Sequence, residues 1–325
     1  MPTRTPDTTS VASWVTDATL APSMHNVQPW QFRYGERDGT LSLRSDPART
    51  LPHTDPTTRG LHVGCGAALF NLRVAAAHAG WEARVRLVPE TTDPEVLARV
   101  TFVRSGGDAG LAELYPAIER RHTSREPFRD EAVPAAVLDA LRAAARAEGA
   151  TLDVPGDWQV RAVLDLVGDA ERAEALSPGV REEIAHWTGS ADGRGTEGVP
   201  LDALGPRRHD GRAPVRDFAA GRRVEGRGSA VFERSPCLAV LATREDGRED
   251  WLRAGQALER VLLRATREGL STSLNSQAVE WPELRWVLRD PVSGTGFPQM
   301  LIRLGYGPQA PASPRRPLSD VLDVD

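Results

Sequence analysis

The sequence predicts an α+β protein made of two halves with related layouts, and three observations carry that prediction. Two long helical patterns, at residues 61–80 and 251–269, each close on a glycine suited to a left-handed C-cap. Each has short apolar runs of strand length beside it. A Ser-Gly-Gly-Asp-Ala-Gly link at residues 105–110 separates the two sets, so the expected halves are 1–108 and 109–325. No identity repeat accompanies them, and the duplication rests on layout alone.

Taken in order, TSVASWVTDATLA reads as a helix almost from the first residues, and APSMHNVQPWQF follows it as a turn dense in amides. Trp30 is placed as the anchor of a strand. LHVGCGAALFNLRVAAAHAG is the first long helix, whose Ala and Gly content invites close packing. EARVRLVPE and RVTFVRSG read as strands. In the second half, DEAVPAAVLDALRAAARAEG predicts a helix starting near Pro134, and REEIAHW a short one. PCLAVLAT reads as a strand, WLRAGQALERVLLRATREG as the second long helix, and PQMLIRLGY as a further strand. Residues 189–230 are rich in Gly, Arg, Asp and Pro and too long for a simple connection; they read as a lid or as a solvated insertion. The tail after Gly307 reads as extended and Pro-rich.

Composition narrows the function class. At 325 residues, 40% hydrophobic and 26% charged, the chain has the make-up of a soluble globular protein. A net charge of −5 gives no electrostatic basis for nucleic acid or an anionic membrane as partner. All its basic side chains are Arg, with no Lys. Cys65 and Cys237 sit in apolar contexts without metal or redox spacing, which predicts buried thiols and a cytoplasmic location. Neither a signal-peptide core nor an apolar run of membrane-spanning length is read in the sequence. No G-x-G-x-x-G after a strand, P-loop or nucleophile elbow occurs, which removes the dinucleotide-fold dehydrogenase, phosphotransferase and hydrolase readings.

The chemistry concentrates in RRHTSREPF, residues 120–128. Arg121, His122, Thr123 and Arg125 crowd donors into five residues, and guanidinium groups grip phosphate oxygens bidentately. A basic, solvated helix end is the plainer reading of such a cluster. Arg315 and Arg316, after a strand ending at Tyr306, suggest a tail wrapping back to a shared anion. His53-x-Asp55 with His62 is too loosely spaced to specify a metal. Trp187 either stacks over a ligand or packs in the core.

RRHTSREPF resembles the flavin-phosphate signature of the FMN-dependent nitroreductase superfamily, and APSMHNVQPWQF resembles its flavin-edge turn. GFPQMLIRLGYG resembles its last core strand. The order of the first two is reversed and they lie about ninety residues apart, so the pattern is most similar to the Acg-type subfamily, single chains that mimic the family dimer. The resemblance implies a nitroreductase-like fold of two fused halves with a lid at 189–230 and one FMN per chain at their interface. It implies that Arg121, His122 and Thr123 meet the phosphate and ribityl end, with Arg315 or Arg316 completing the phosphate cage. Arg125 would approach the N1/O2 side of the ring, and Pro22, Ser23, Met24 and Asn26 would meet it from the first half. Ser276 and Gln277 would face N5, where common members often carry an acidic residue. The implied activity is reduction of a small planar substrate with NAD(P)H, or flavin-linked oxidation; the alternative is non-catalytic FMN storage. A monomer that is itself a pseudo-dimer, or a homodimer, fits either.

Overall fold

The computed structural model describes residues 5–89, 92–189, 195–219, 222–289 and 296–325. The first half begins with α1 (Thr8–Thr19), whose start is fixed by the Asp7 carboxylate accepting from Ser10 N at 2.8 Å. Strands β1 (Trp30–Gly35) and β2 (Thr40–Ser45) form a hairpin and lead into α2 (Arg59–His78). Strands β3 (Trp81–Leu87) and β4 (Val96–Arg104) complete this set. Alternation is visible where one face is covered: Trp30, Phe32 and Tyr34 are buried.

The second half runs through α3 (Ala109–Ala112), α4 (Ala135–Ala147) and β5 (Thr151–Asp153). Helices α5 (Asp157–Leu176) and α6 (Pro178–His186) follow. After the short strands β6 (Arg207–Asp210) and β7 (Ser229–Val231) come β8 (Cys237–Thr243), α7 (Arg248–Arg267) and β9 (Ser271–Asn275). The chain ends through α8 (Gln277–Glu280), α9 (Pro282–Val287), β10 (Phe297–Gly305) and β11 (Leu322–Val324). Helix α5 has no counterpart in the sequence reading. Its faces are heavily charged and it leaves Trp158 and Leu176 exposed, so its apolar period is weak.

Two sheets result. The first has the order β11-β1-β2-β4-β3 and is antiparallel except for β1 with β11, which pair in parallel. The second is antiparallel, in the order β5-β8-β10-β9. Thus the tail does wrap back: its last strand joins the first sheet, pairing Phe32 with Leu322 and Tyr34 with Val324.

Helices α2 and α7 lie between these layers and cross at a pair of glycines. A Cβ on Gly66 would stand 2.2 Å from the Leu252 carbonyl oxygen, and one on Gly255 would stand 2.0 Å from that of Val63. Each helix therefore reaches into the other half's core. Leu252 of α7 packs with Trp14, Phe32 and Leu69, while Val63 of α2 packs with Leu241, Leu258 and Ile302. Helix α2 is the one described helix long and apolar enough to cross a membrane, and most of it is buried by the protein itself.

Gly66→Ala or Gly255→Ala is expected to lower unfolding free energy by about 1–3 kcal/mol through overpacking, read from urea denaturation. Gly168→Ala in α5 meets only ordinary contact with Arg172. That variant is expected to gain up to about 1 kcal/mol from helix propensity.

Candidate functional site

The amide-rich turn after α1 is held in a costly conformation. His25, Asn26 and Gln28 have φ of 50°, 55° and 53°, a region that non-glycine residues enter at a cost. Hydrogen bonds from three separate segments fix it there. Ser23 Oγ accepts from Gln28 N at 3.0 Å. From residues 195–199, the Thr196 carbonyl accepts from Gln28 Nε2 at 2.8 Å, and Gly198 O from Asn26 Nδ2 at 3.0 Å. From the tail, Arg316 N donates to Gln28 Oε1 at 2.8 Å and Arg315 Nη1 to Asn26 Oδ1 at 3.1 Å.

The basic segment is anchored in the second half. Ser124 N donates to Thr272 O of β9, and Phe128 N donates to Glu233 at 3.0 Å. Arg303 of β10 pairs with Glu233, lies 3.8 Å from the Phe128 ring centroid, and donates to Glu126 O at 2.9 Å. The guanidinium of Arg121 is thereby carried to the C-terminus of α1, where Nη2 donates to Leu20 O at 2.9 Å. Arg315 arrives at the same carbonyl from the tail, also at 2.9 Å, and donates to Thr19 O and Ala21 O besides. A helix C-terminus, with its unpaired carbonyls, stabilises cations, which is why two guanidiniums can be buried together there.

One cavity opens where the segments of residues 22–26, 121–125 and 313–315 meet. Pro22, Ser23, Met24, Asn26, Arg121, His122, Thr123, Arg125, Ser276 and Arg315 all line it. Two of the residues singled out from sequence do not. Gln277 is buried on α8 and donates from Nε2 to Glu174 at 2.8 Å. Arg316 supports the turn from behind, through Gln28 O at 3.2 Å and Asp320 O at 2.7 Å. Arg315 lines the cavity, yet all its N–H groups face protein acceptors, so it contributes charge more than donors. Arg121 is the reverse: its Nε and Nη1 are buried without a hydrogen-bond partner.

The segment after Trp187 covers this cavity. Val199, Arg216 and Phe218 line it, and Val199, Leu204 and Phe218 pack on Val180 and Ile184 of α6 in a small core of their own. Gly205, at φ 65°, lies so close to Arg125 that a Cβ would meet its carbonyl oxygen at 2.3 Å. Arg125 donates to Ala203 O at 2.9 Å and lies over the Phe218 ring at 4.8 Å. Arg216 bonds Glu280 at 2.7 Å and Glu174 at 2.5 Å, all three largely buried. Of the predicted 189–230 stretch, residues 190–194 and 220–221 lie outside the described set. Trp187 is buried against Val27, Leu51 and Met24, the packing alternative.

Electrostatics follow from burial. Arg315 is pushed down to about 9 by burial and by Arg121, with Glu259 opposing. Burial and Arg216 bring Arg125 to about 10, and burial with Arg121 and Arg315 brings His122 to about 4, so that imidazole is neutral near pH 7. His25 is likewise neutral, driven well below its ordinary value by burial, Arg216 and Arg125. Both its ring nitrogens are buried without partners, and its ring meets Phe218 edge-on at 5.4 Å. Away from the cavity, His62 has both nitrogens engaged, by Thr58 O and Arg248, and Asp55 accepts from Gly60 N and Leu61 N. Among the described residues no group of three His, Cys, Asp or Glu could hold a metal ion.

A family profile described as "Nitroreductase family" matches residues 118–306. The chain belongs to the nitroreductase family. Over its whole length it is 33% identical to the Mycobacterium tuberculosis H37Rv protein named "Putative NAD(P)H nitroreductase acg", covering 98% of that protein. A second M. tuberculosis H37Rv protein of the same NAD(P)H nitroreductase name is 34% identical over 99% of this chain and 94% of its own length. A nitroreductase from Bacteroides fragilis solved with bound FMN overlaps 63% of this chain and 94% of its own, at 15% identity and a TM-score of 0.38.

Within this nitroreductase chain, sequence reasoning passed over Glu259, Arg216, Phe218 and His25. Glu259 and His25 lay inside quoted motifs, WLRAGQALER and APSMHNVQPWQF, so the signal existed; Arg216 and Phe218 lie in a stretch without periodicity.

Arg216→Ala would leave Glu174 and Glu280 without their cation, and is expected to cost about 3–5 kcal/mol where those carboxylates stay buried. Limited trypsinolysis at the arginines of residues 195–230 should then outpace cleavage of the wild type. Equal cleavage rates would show that the pair does not hold the cover.

Proposed function

We propose that this chain is an FMN-binding oxidoreductase in which two halves of one polypeptide, 1–108 and 109–325, build one flavin site as a pseudo-dimer. The carrying observation is the convergence of Arg121 and Arg315 with the Pro22–Asn26 turn on one cavity. The residues suit the cofactor: buried Arg121, whose Nη1 has no hydrogen-bond partner, lines the cavity beside Arg315, Thr123 and His122, a donor set fit for an anion. The FMN-bound B. fragilis nitroreductase and the NAD(P)H names of the mycobacterial relatives support the same cofactor and reductant.

When bound, FMN supplies hydride or single-electron transfer between a reductant and a small planar acceptor. The protein's residues do the rest. Arg121 binds the phosphate end, aided by the fixed charge of Arg315 and the hydroxyl of Thr123. Arg125 holds positive charge over the cavity, which favours the reduced, anionic form of a ring placed beside it. The strained turn sets Ser23, Met24 and Asn26 against the ring edge. Val199 and Phe218 exclude water from above.

That cover also favours a second reading, FMN storage. Asn26 and Gly198 exchange hydrogen bonds across the seam, and a seam that stays shut leaves no space for a nicotinamide. Anaerobic mixing of the yellow protein with NADPH separates the two: prompt bleaching is expected of the enzyme, and unchanged absorbance over hours of the store. Arg121→Ala is expected to weaken FMN binding by about 1.5–3 kcal/mol in a fluorescence titration. An unaltered curve removes Arg121 from the phosphate site.

A further inference from the structure

We infer that Glu259 is the proton-accepting residue of the anion site, a carboxylate that takes up a proton when a phosphate monoester binds against Arg121 and Arg315. The inference rests on the FMN reading above and adds a residue and a proton to it.

The geometry starts with two layers. Arg121 lines the cavity and Glu259 does not; its Oε1 lies 3.4 Å behind Arg121 Nε, and the carboxylate is fully buried on α7. Neither Glu259 oxygen has a hydrogen-bond partner, and Arg121 Nε and Nη1 have none either. A fully buried carboxylate whose contact with its guanidinium is as long as 3.4 Å, with Asn71 as its other polar neighbour, is loosely satisfied for a purely structural ion pair.

The groups facing Glu259 can be named element by element. From α2 comes Asn71, whose Nδ2 also reaches Asp17 O of α1 at 3.4 Å. From the segment after Ile118 comes Arg121, and from the tail comes Arg315; His122 faces these two guanidiniums. Below the value of about 9 to which Arg315 is pushed, two cations thus face one carboxylate, leaving one excess positive charge. A phosphate monoester, with its second ionisation near pH 6, carries two negative charges above that pH. Binding it with Glu259 ionised turns the excess to one negative charge among buried side chains, where screening is weak. Protonating Glu259 restores neutrality without moving a side chain.

Glu259 is already poised for this. Burial raises its carboxyl to about 7, against the opposing pull of Arg121, Asn71 and Arg315. A dianion beyond Arg121 raises it further. The linkage sign is then fixed. Ligand binds the protonated form better, so affinity is greatest below about pH 7 and declines as pH rises above it, by up to about tenfold per unit until the bound-state value is reached. His122 is the competing acceptor. It starts from about 4, so an anion would have to lift it through three units before it bound a proton at pH 7.

The test is calorimetric titration of the flavin-free full chain with FMN at pH 8, in two buffers of different ionisation enthalpy, with riboflavin as the probe lacking phosphate. The wild type is expected to take up roughly one proton with FMN and none with riboflavin. Its FMN Kd should rise between pH 7 and 8, where the free phosphate is already dianionic and Arg315, pushed down to about 9, still holds its charge. Glu259→Gln is expected to bind FMN with no proton uptake and a flat Kd over that range. FMN binding with equal uptake in wild type and Glu259→Gln, or uptake lost only in His122→Gln, overturns the inference while leaving the cofactor reading intact. Should Glu259→Gln fail to fold, a flat wild-type Kd from pH 7 to 8 overturns it alone. Failure of FMN to bind the wild type removes both.

Discussion

The crossing of α2 and α7 at Gly66 and Gly255 is the constraint on which the molecule depends. Backbone oxygens of Leu252 and Val63 occupy the volume that side chains would need, so no other residue fits without parting the helices. Because the helices touch at their backbones, each delivers a residue to the opposite core and the halves cannot shift independently. That rigidity sets the distance between the wall carrying Arg121 and the wall carrying Asn26. A site assembled from two halves needs this, since a small displacement between its parts would separate donors from whatever they grip.

The two ends of the crossing are unequal. Where α1 stops, the chain makes its strained amide turn and leaves a cavity. Where α4 stops, at the corresponding place in the layout, Glu148 bridges Arg73 of α2 and Arg260 of α7 at 2.6 and 2.7 Å, and both guanidiniums lie over Phe70. Salt bridges and an aromatic ring fill what the other end keeps open. The local sequences differ accordingly, AEGATLDVP at the end of α4 and APSMHNVQPWQF after α1.

Much of this was readable in advance, for identifiable reasons. Helices α2 and α7 announce themselves by apolar period and terminal glycine, and Gly80 and Gly269 do take positive φ. The basic cluster was legible because four donor-bearing side chains in five residues need a common acceptor. Gln277 lies off the cavity, and of Arg315 or Arg316 only Arg315 lines it, for an equally physical reason: neighbours along a chain often point apart. Sequence also gives no warning that Arg315 would spend its donors on α1 carbonyls. Glu259 was hidden by its setting, since a lone acidic residue on an amphipathic helix is usually solvated. Only the coordinates reveal that it is sealed. Helix α5 and the cover over the cavity were obscured because charged, Gly-rich sequence leaves no periodic trace.

The joining of β11 to β1 and of Arg315 to the end of α1 links positions as much as 296 residues apart. During synthesis, therefore, the first sheet waits for its edge partner, and the turn waits for the guanidinium that steadies it, until residues 315–324 have been translated. The cavity wall built on that turn is among the last features of these 325 residues to be secured.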